Sequence, residues 1–232
     1  MRSQSASISW RFVLVQSIAI ASTASGFLIA GPPDDTQIIE PPAERSPDET
    51  IPDLATVTRR IVERTNDFRI KEKRTRVAVD PKLMETAHAF AAYMARTDRY
   101  GHSADGGNPG DRATKSGYEF SLISENIAYA FSSRGFETED LAVQFVEGWE
   151  KSPGHRANML DPDVTQTGVA VARSEKTGYY FAVQMFGRPK ADTIRFEVAN
   201  RSSWPITYRV GDQSHTVEPR YTMTHEQGRP AD

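Results

Sequence analysis

Three side chains in this sequence combine reactive chemistry with settings suited to display: His102, Glu125 and His155. His102 stands in Gly101-His102-Ser103, within a glycine-rich stretch. Glu125 stands in Ser124-Glu125-Asn126-Ile127-Ala128, and His155 in the turn Ser152-Pro153-Gly154-His155. Two neutral imidazoles and a carboxylate can bind a divalent transition metal such as zinc, since nitrogen and carboxylate oxygen both suit that ion. The same groups can equally form a hydrogen-bonded polar cluster that fixes a cleft. Local spacing does not decide between these readings. No pair has a metal-site spacing such as His-Glu-x-x-His, so the fold must bring the three together. A metal site built from them would have at most three protein ligands, with water completing the shell. Its affinity should fall as pH drops through the ordinary histidine pKa of about 6.5. Ser103 and Ser152 lie beside histidines, but no local sequence supplies an oxyanion hole or an orienting acid for a serine nucleophile. His88, His215 and His225 carry no motif.

The elements that must position these groups can be read from periodicity. Leu54, Val57, Ile61, Val62 and Phe68 fall near helical spacing, with Asp53 as the N-cap. Asp80-Pro81 opens a second helix whose apolar face is Leu83, Ala87, Phe90, Ala91, Met94 and Ala95, ending near Asp98; His88 lies off that stripe. The glycines, Pro109, Asp105, Asn108 and Asp111 of Gly101 to Gly117 predict a loop. Glu125 and Asn126 are expected at a loop–helix joint, where Asn126 would bond backbone. A third helix is predicted from Glu139 to Glu150, capped by Thr138, with Leu141, Phe145, Val146 and Trp149 facing inward. A short helix follows Ser152-Pro153 and stops at Pro162. Thr167 to Arg173 and Tyr179 to Phe186, joined by Glu175-Lys176-Thr177-Gly178, read as a hairpin. Helices ahead of antiparallel strands predict an α+β layered domain. Beyond Asp192, Ile194 to Val198 and Ile206 to Val210 alternate in polarity, and Thr216-Val217 and Tyr221 to Thr224 are weaker strands. They predict a small all-β extension of three or four strands.

The ordered motifs resemble a known family. In order they are Thr65-Asn66-Asp67-Phe68-Arg69, Gly101-His102-Ser103, Asp111-Arg112-Ala113, Gly117-Tyr118, Glu125-Asn126-Ile127-Ala128, Trp149 through Leu160 with Ser152-Pro153-Gly154-His155, Gly168-Val169-Ala170-Val171 and Gln184-Met185-Phe186-Gly187. From Leu54 to Pro189 the chain is similar to the CAP superfamily (sperm-coating, cysteine-rich secretory, antigen-five and pathogenesis-related proteins) in its bacterial, cysteine-free form. The resemblance implies a three-layer α-β-α sandwich with a central antiparallel sheet and an open cleft. It implies that His102 and His155 face each other in that cleft with Glu125 beside them. Many family members carry a second glutamate three residues after the tryptophan matching Trp149; this chain has Ser152 there. Ser124 replaces a usual glycine. Some members bind zinc through the two histidines, others bind sterols, fatty acids or proteins, and proteolysis has been proposed for a few. Arg112 is expected to tie its loop together, and Trp149, Tyr179, Tyr180 and Phe186 to lie in the core.

The flanks read differently. Residues 1–24 have the order of a secretory signal: Arg2 and Arg11, the apolar Phe12 to Ile20, then small residues with cleavage after Ala24. The alternative is an uncleaved anchor running through Phe27-Leu28-Ile29-Ala30, of marginal length for a bilayer. Residues 25–53 contain Pro32, Pro33, Pro41, Pro42, Pro47 and Pro52 among many acids, and predict an extended linker that holds the domain away from the surface. The domain is placed at 54–189 and the β extension at 190–232. A formal net charge of -3 without basic runs argues against nucleic-acid binding. With no cysteine there is no disulfide framework, thiol chemistry or lipoprotein anchor, so stability must come from the core. The expected protein is secreted, periplasmic or held at the cell surface. It is an extracellular binding module for a protein, peptide, lipid or glycan, without a stable membrane span after cleavage, and with a polar cleft suited to a divalent ion. The alternatives are a metal-assisted hydrolase with Glu125 as general base and a lipid or sterol carrier. No apolar helix face is left over for the carrier once the core is filled.

Overall fold

A computed structural model of the chain describes residues 35–41, 46 and 48–227. The predicted leader and the start of the predicted linker lie outside these residues. The described chain begins with a short strand, β1 (Gln37–Ile38), followed by helix α1 (Leu54–Lys71). Asp53 caps α1, its carboxylate accepting from the Ala55 amide at 3.1 Å, and Val57, Ile61 and Phe68 are buried on one face. After β2 (Ala78–Val79), α2 (Pro81–Thr97) starts where Asp80 accepts from the Lys82 and Leu83 amides and Pro81 supplies a preset φ.

Between β3 (Arg99–Tyr100) and strand β4 (Phe120–Ala130) the structure departs from the predicted loop: Pro109–Lys115 forms helix α3. Asn108 and Asp111 make a reciprocal capping box and Pro109 stands at its first position. The residues that read as loop formers are therefore a helix start. β4 itself is a second departure, since Glu125 and Asn126 lie mid-strand and not at a helix joint. As the edge strand it carries polar groups on both faces, which breaks the apolar alternation by which a strand is recognised. In helix α4 (Thr138–Lys151) the N-cap position falls on Glu137, whose side chain makes no capping bond, and not on Thr138; the Thr138 hydroxyl instead accepts from the Asp53 amide at 3.0 Å, linking the starts of α1 and α4. Helix α5 (Pro153–Leu160) and strands β5 (Gln166–Arg173) and β6 (Tyr180–Pro189) follow as expected.

The central sheet has the order β2-β5-β6-β4, antiparallel except for the β2–β5 pair. Strands β4, β5 and β6 divide their side chains between two apolar clusters. Val169, Val171, Ala182 and Phe186 meet α1, α4 and α5, while Ala170, Phe181, Val183 and Met185 meet α2 and α3. This is the expected three-layer α-β-α sandwich. Gly168 lets α2 settle on the sheet, because a Cβ there would lie 2.1 Å from the Leu83 carbonyl carbon.

The described part of the proline-rich segment lies against the domain and does not lead away from it. Gln37 and Ile38 pair with Tyr100 and Arg99, and the Ile39 amide donates to the Asp98 carbonyl at 2.7 Å. Ile39 is buried in the α2 cluster. Farther along, Thr50 bridges to Gly135 and Glu49 pairs with Arg173. A polar, proline-rich composition suggests an open linker, but backbone pairing and one apolar anchor do not require an apolar average. After a short 3-10 turn, the expected β extension consists of β7 (Ile194–Ala199), β8 (Ile206–Val210), β9 (Gln213–Val217) and β10 (Thr222–Gln227). These pair as β7 with β10 and β8 with β9. No helix among the described residues is long and apolar enough to cross a membrane.

Candidate functional site

The site is assembled around the outer edge of β4. Alternation along that strand sends Glu125 to the α2–α3 side and Asn126 to the α5 side. On the first side, Glu125 is buried and both carboxylate oxygens are occupied. Arg112 of α3 donates from one terminal nitrogen to Oε1 and Oε2, each at 2.9 Å, and His102 Nδ1 lies 2.8 Å from Oε1. The Arg112 guanidinium also donates to Asp105 at 2.8 Å and to the His102 carbonyl at 2.9 Å, and stacks 3.6 Å above the Phe90 ring. Arg112 thus does what the sequence suggested, tying together the turn after α2. It also neutralises the buried carboxylate, and buried charges persist only when paired in this way.

On the opposite side, α5 is stapled to β4 by asparagines. Asn126 Nδ2 donates to the His155 carbonyl at 3.1 Å. Asn158 Nδ2 donates to Asn126 Oδ1 at 2.9 Å and to the Glu125 carbonyl at 3.2 Å. The backbone of His155 is fixed by this lattice, but its ring is not. His155 is 4% exposed, and neither Nδ1 nor Nε2 has a hydrogen-bond partner among the described residues. Burial pushes its pKa down to about 4, with the nearby charge of His102 adding to the shift, so the imidazole is neutral at physiological pH.

The predicted residues therefore divide. His102 and Glu125 are in direct contact, and His155 approaches from the other helical layer, close enough for electrostatic influence from His102. Among the described residues, no three His, Cys, Asp or Glu side chains gather as a metal-holding group. Ser152 is buried, and the Ser103 hydroxyl is bonded to Asp35 at 2.7 Å. His88 is exposed, and His215 and His225 pack with Tyr208 and Phe196 in the β extension.

Two participants were not singled out as site residues from the sequence. Asn158 sits one helical turn from His155, a spacing that could have revealed it. Asp35 offers no signal of its own, since it lies in an acidic, proline-rich stretch far from the motifs. Its carboxyl sits below the ordinary range. Burial pushes it up, and hydrogen bonds from Ser103 and from the His102 and Ser103 amides, with the His102 charge, outweigh that.

Known proteins share this fold. Residues 62–186 match the family described as the cysteine-rich secretory protein family, CAP. The uncharacterized protein YkwD of Bacillus subtilis (strain 168) is 30% identical over 136 residues, covering 58% of this chain and 49% of that protein. The uncharacterized membrane protein YlbC of the same organism is 30% identical over 123 residues, covering 53% and 33%. The chain thus spans half or less of the curated relatives it matches. Among solved structures, an extracellular SCP-domain protein of Bacillus anthracis str. Ames is 29% identical with a TM-score of 0.49, covering 58% of this chain and 41% of that one. An outer surface protein of Borrelia burgdorferi shares the fold at 19% identity, with a TM-score of 0.51 over 58% of this chain and 93% of that one. With a family match spanning more than half its length, and the helices and strands that carry the match folded into one sandwich about the central sheet, the chain belongs to the cysteine-rich secretory protein (CAP) family.

Proposed function

We propose that this protein is an exported CAP-domain binding module whose cleft holds a divalent transition-metal ion between His102 and His155, and that it is not a hydrolase. The observation that carries this reading is His155: a buried, neutral imidazole with both ring nitrogens unpartnered among the described residues. A buried polar group without a partner calls for a ligand, an ion or water. The donor set fits a soft-to-borderline ion held by nitrogen. His155 is already deprotonated, and His102 has its Nδ1 oriented by Glu125, the carboxylate–histidine pairing that commonly supports a ligating ring. A bound ion would supply a fixed positive charge able to attract a carbonyl or anionic group of an extracellular ligand.

Glu125 is therefore assigned a supporting role. With Arg112 on both oxygens and His102 on one, it is poorly placed to act as a general base, which counts against the hydrolase alternative. Export is supported by the leader-like order of residues 1–24, a charged start followed by an apolar run and small residues.

Calorimetric titration of the chain with zinc chloride at pH 7.5 tests the proposal. Binding should be weak, near one ion per chain, and lost in both His102→Ala and His155→Ala. Binding that survives in both variants would place the metal elsewhere. No binding to the unaltered chain would leave the polar cluster as a structural brace.

A further inference from the structure

His102 is held partly by a residue that lies outside the matched family region. Asp35 Oδ2 accepts from the His102 amide at 2.9 Å, while Oδ1 accepts from the Ser103 amide at 3.1 Å and the Ser103 hydroxyl at 2.7 Å. The turn is shaped to admit this carboxylate. Gly101 has φ +149°, and a Cβ at that position would lie 2.8 Å from both the Asp35 carbonyl oxygen and Oδ1. A side chain at position 101 would thus strain the backbone and expel Asp35.

Asp35 is anchored immediately downstream. β1 pairs with β3, the strand that leads into the turn, and Ile39 is 7% exposed in the cluster beneath α2. From the other side, Arg112 takes the His102 carbonyl and Glu125 takes Nδ1. His102 is therefore gripped at its amide by Asp35, at its carbonyl by Arg112 and at its ring by Glu125. The last two come from the family domain; the first comes from the segment ahead of it.

We infer that Asp35 is a positioning residue for His102, and that Asp35 to Ile39 is part of the binding machinery and not a spacer. The inference rests on the reading of His102 as a binding residue. Its mechanism is geometric. Without Asp35 the His102 and Ser103 amides lose their acceptor, the turn gains freedom, and the imidazole no longer holds one direction relative to His155. Displacing groups that orient a ligand in this way commonly costs ten- to a hundredfold in metal affinity.

The test uses the full chain and two readouts. Amide hydrogen exchange in Asp35→Ala should accelerate about tenfold at His102 and Ser103, the scale of one lost hydrogen bond, while Val169 in the sheet stays protected. Zinc affinity should fall about tenfold or more. Asp35→Asn keeps one acceptor oxygen in place of two, so it should restore protection at one of the two amides but not both. Unchanged exchange at both amides in Asp35→Ala would overturn the inference. So would acceleration spread equally to Val169, which marks general stabilisation, or lost amide protection with zinc affinity intact. If the unaltered chain takes up no zinc, the metal reading fails on its own, and the residue-specific exchange pattern still decides whether Asp35 positions the turn.

Discussion

Replacing Arg112 with methionine should destabilise the protein by about 3–5 kcal/mol, the range for removing one partner of a buried ion pair. The magnitude follows from what the guanidinium leaves behind. The Glu125 side chain is 1% exposed and that of Arg112 8% exposed, so water cannot replace the lost contacts without opening the site. Methionine can keep contact with the Phe90 ring, where Arg112 now stacks, so apolar packing is largely conserved. The loss falls instead on the bonds to Glu125, Asp105 and the His102 carbonyl. At roughly 2–4 °C per kcal/mol for a chain of this size, the melting midpoint should drop by about 6–20 °C.

Guanidinium denaturation at pH 7.5 measures the effect, and a double-mutant cycle with Glu125→Gln identifies its source. If the uncompensated carboxylate is the cause, Arg112→Met should cost much less when Glu125 is already glutamine. A loss below about 1 kcal/mol would refute the argument that Glu125 is buried and dependent on Arg112. An equal loss in the glutamine background would assign the energy to Asp105 and the turn.

Trp149→Ala should cost about 3–5 kcal/mol in thermal or chemical melts, because the ring is 1% exposed, stacks on Phe145 and donates from Nε1 to the Ile127 carbonyl at 3.2 Å. An unchanged midpoint would contradict its burial. His155 has a folded pKa of about 4 against an ordinary 6.5, so the unfolded chain binds the extra proton between those values. With chelator present, stability should therefore decline as pH falls from 6.5 toward 4, by roughly 3 kcal/mol relative to His155→Gln. Parallel pH profiles for the two proteins would show that His155 titrates normally.

The layers of the fold were legible because α1, α2 and α4 each place apolar residues at helical spacing on the buried face, even where α1 also buries Thr65, Asn66 and Arg69, and β5 and β6 combine branched and aromatic residues with a turn between them. Trp149 and Phe186 could be assigned to the core on the same grounds, and both are buried. Legibility failed where one residue served two masters. Asn108, Pro109 and Asp111 are loop formers by composition and a helix start by position, and only the reciprocal side-chain bonds of α3 distinguish the two. In β4 the site itself hid the strand. Glu125 and Asn126 occupy consecutive positions on opposite faces, so neither face shows the alternation of an ordinary half-buried strand.

The same contrast explains why the site was only partly readable. His102, Glu125 and His155 are conspicuous because their types stand out against glycine-rich or turn sequences. What orients them is inconspicuous: an arginine that resembles any surface charge, two asparagines that resemble turn formers, and an aspartate in a proline-rich run. These residues act at their partners' backbone as much as at their side chains. Arg112 reaches the His102 carbonyl, Asn126 the His155 carbonyl, Asn158 the Glu125 carbonyl and Asp35 the His102 amide. Backbone acceptors and donors are present at every position and leave no signature in a sequence. Side-chain identity therefore points to the reactive groups near β4, whereas the direction each group faces depends on contacts that only the folded chain displays. In this protein that difference is largest at His102, whose ring and carbonyl are held from within the family domain and whose amide is held from outside it.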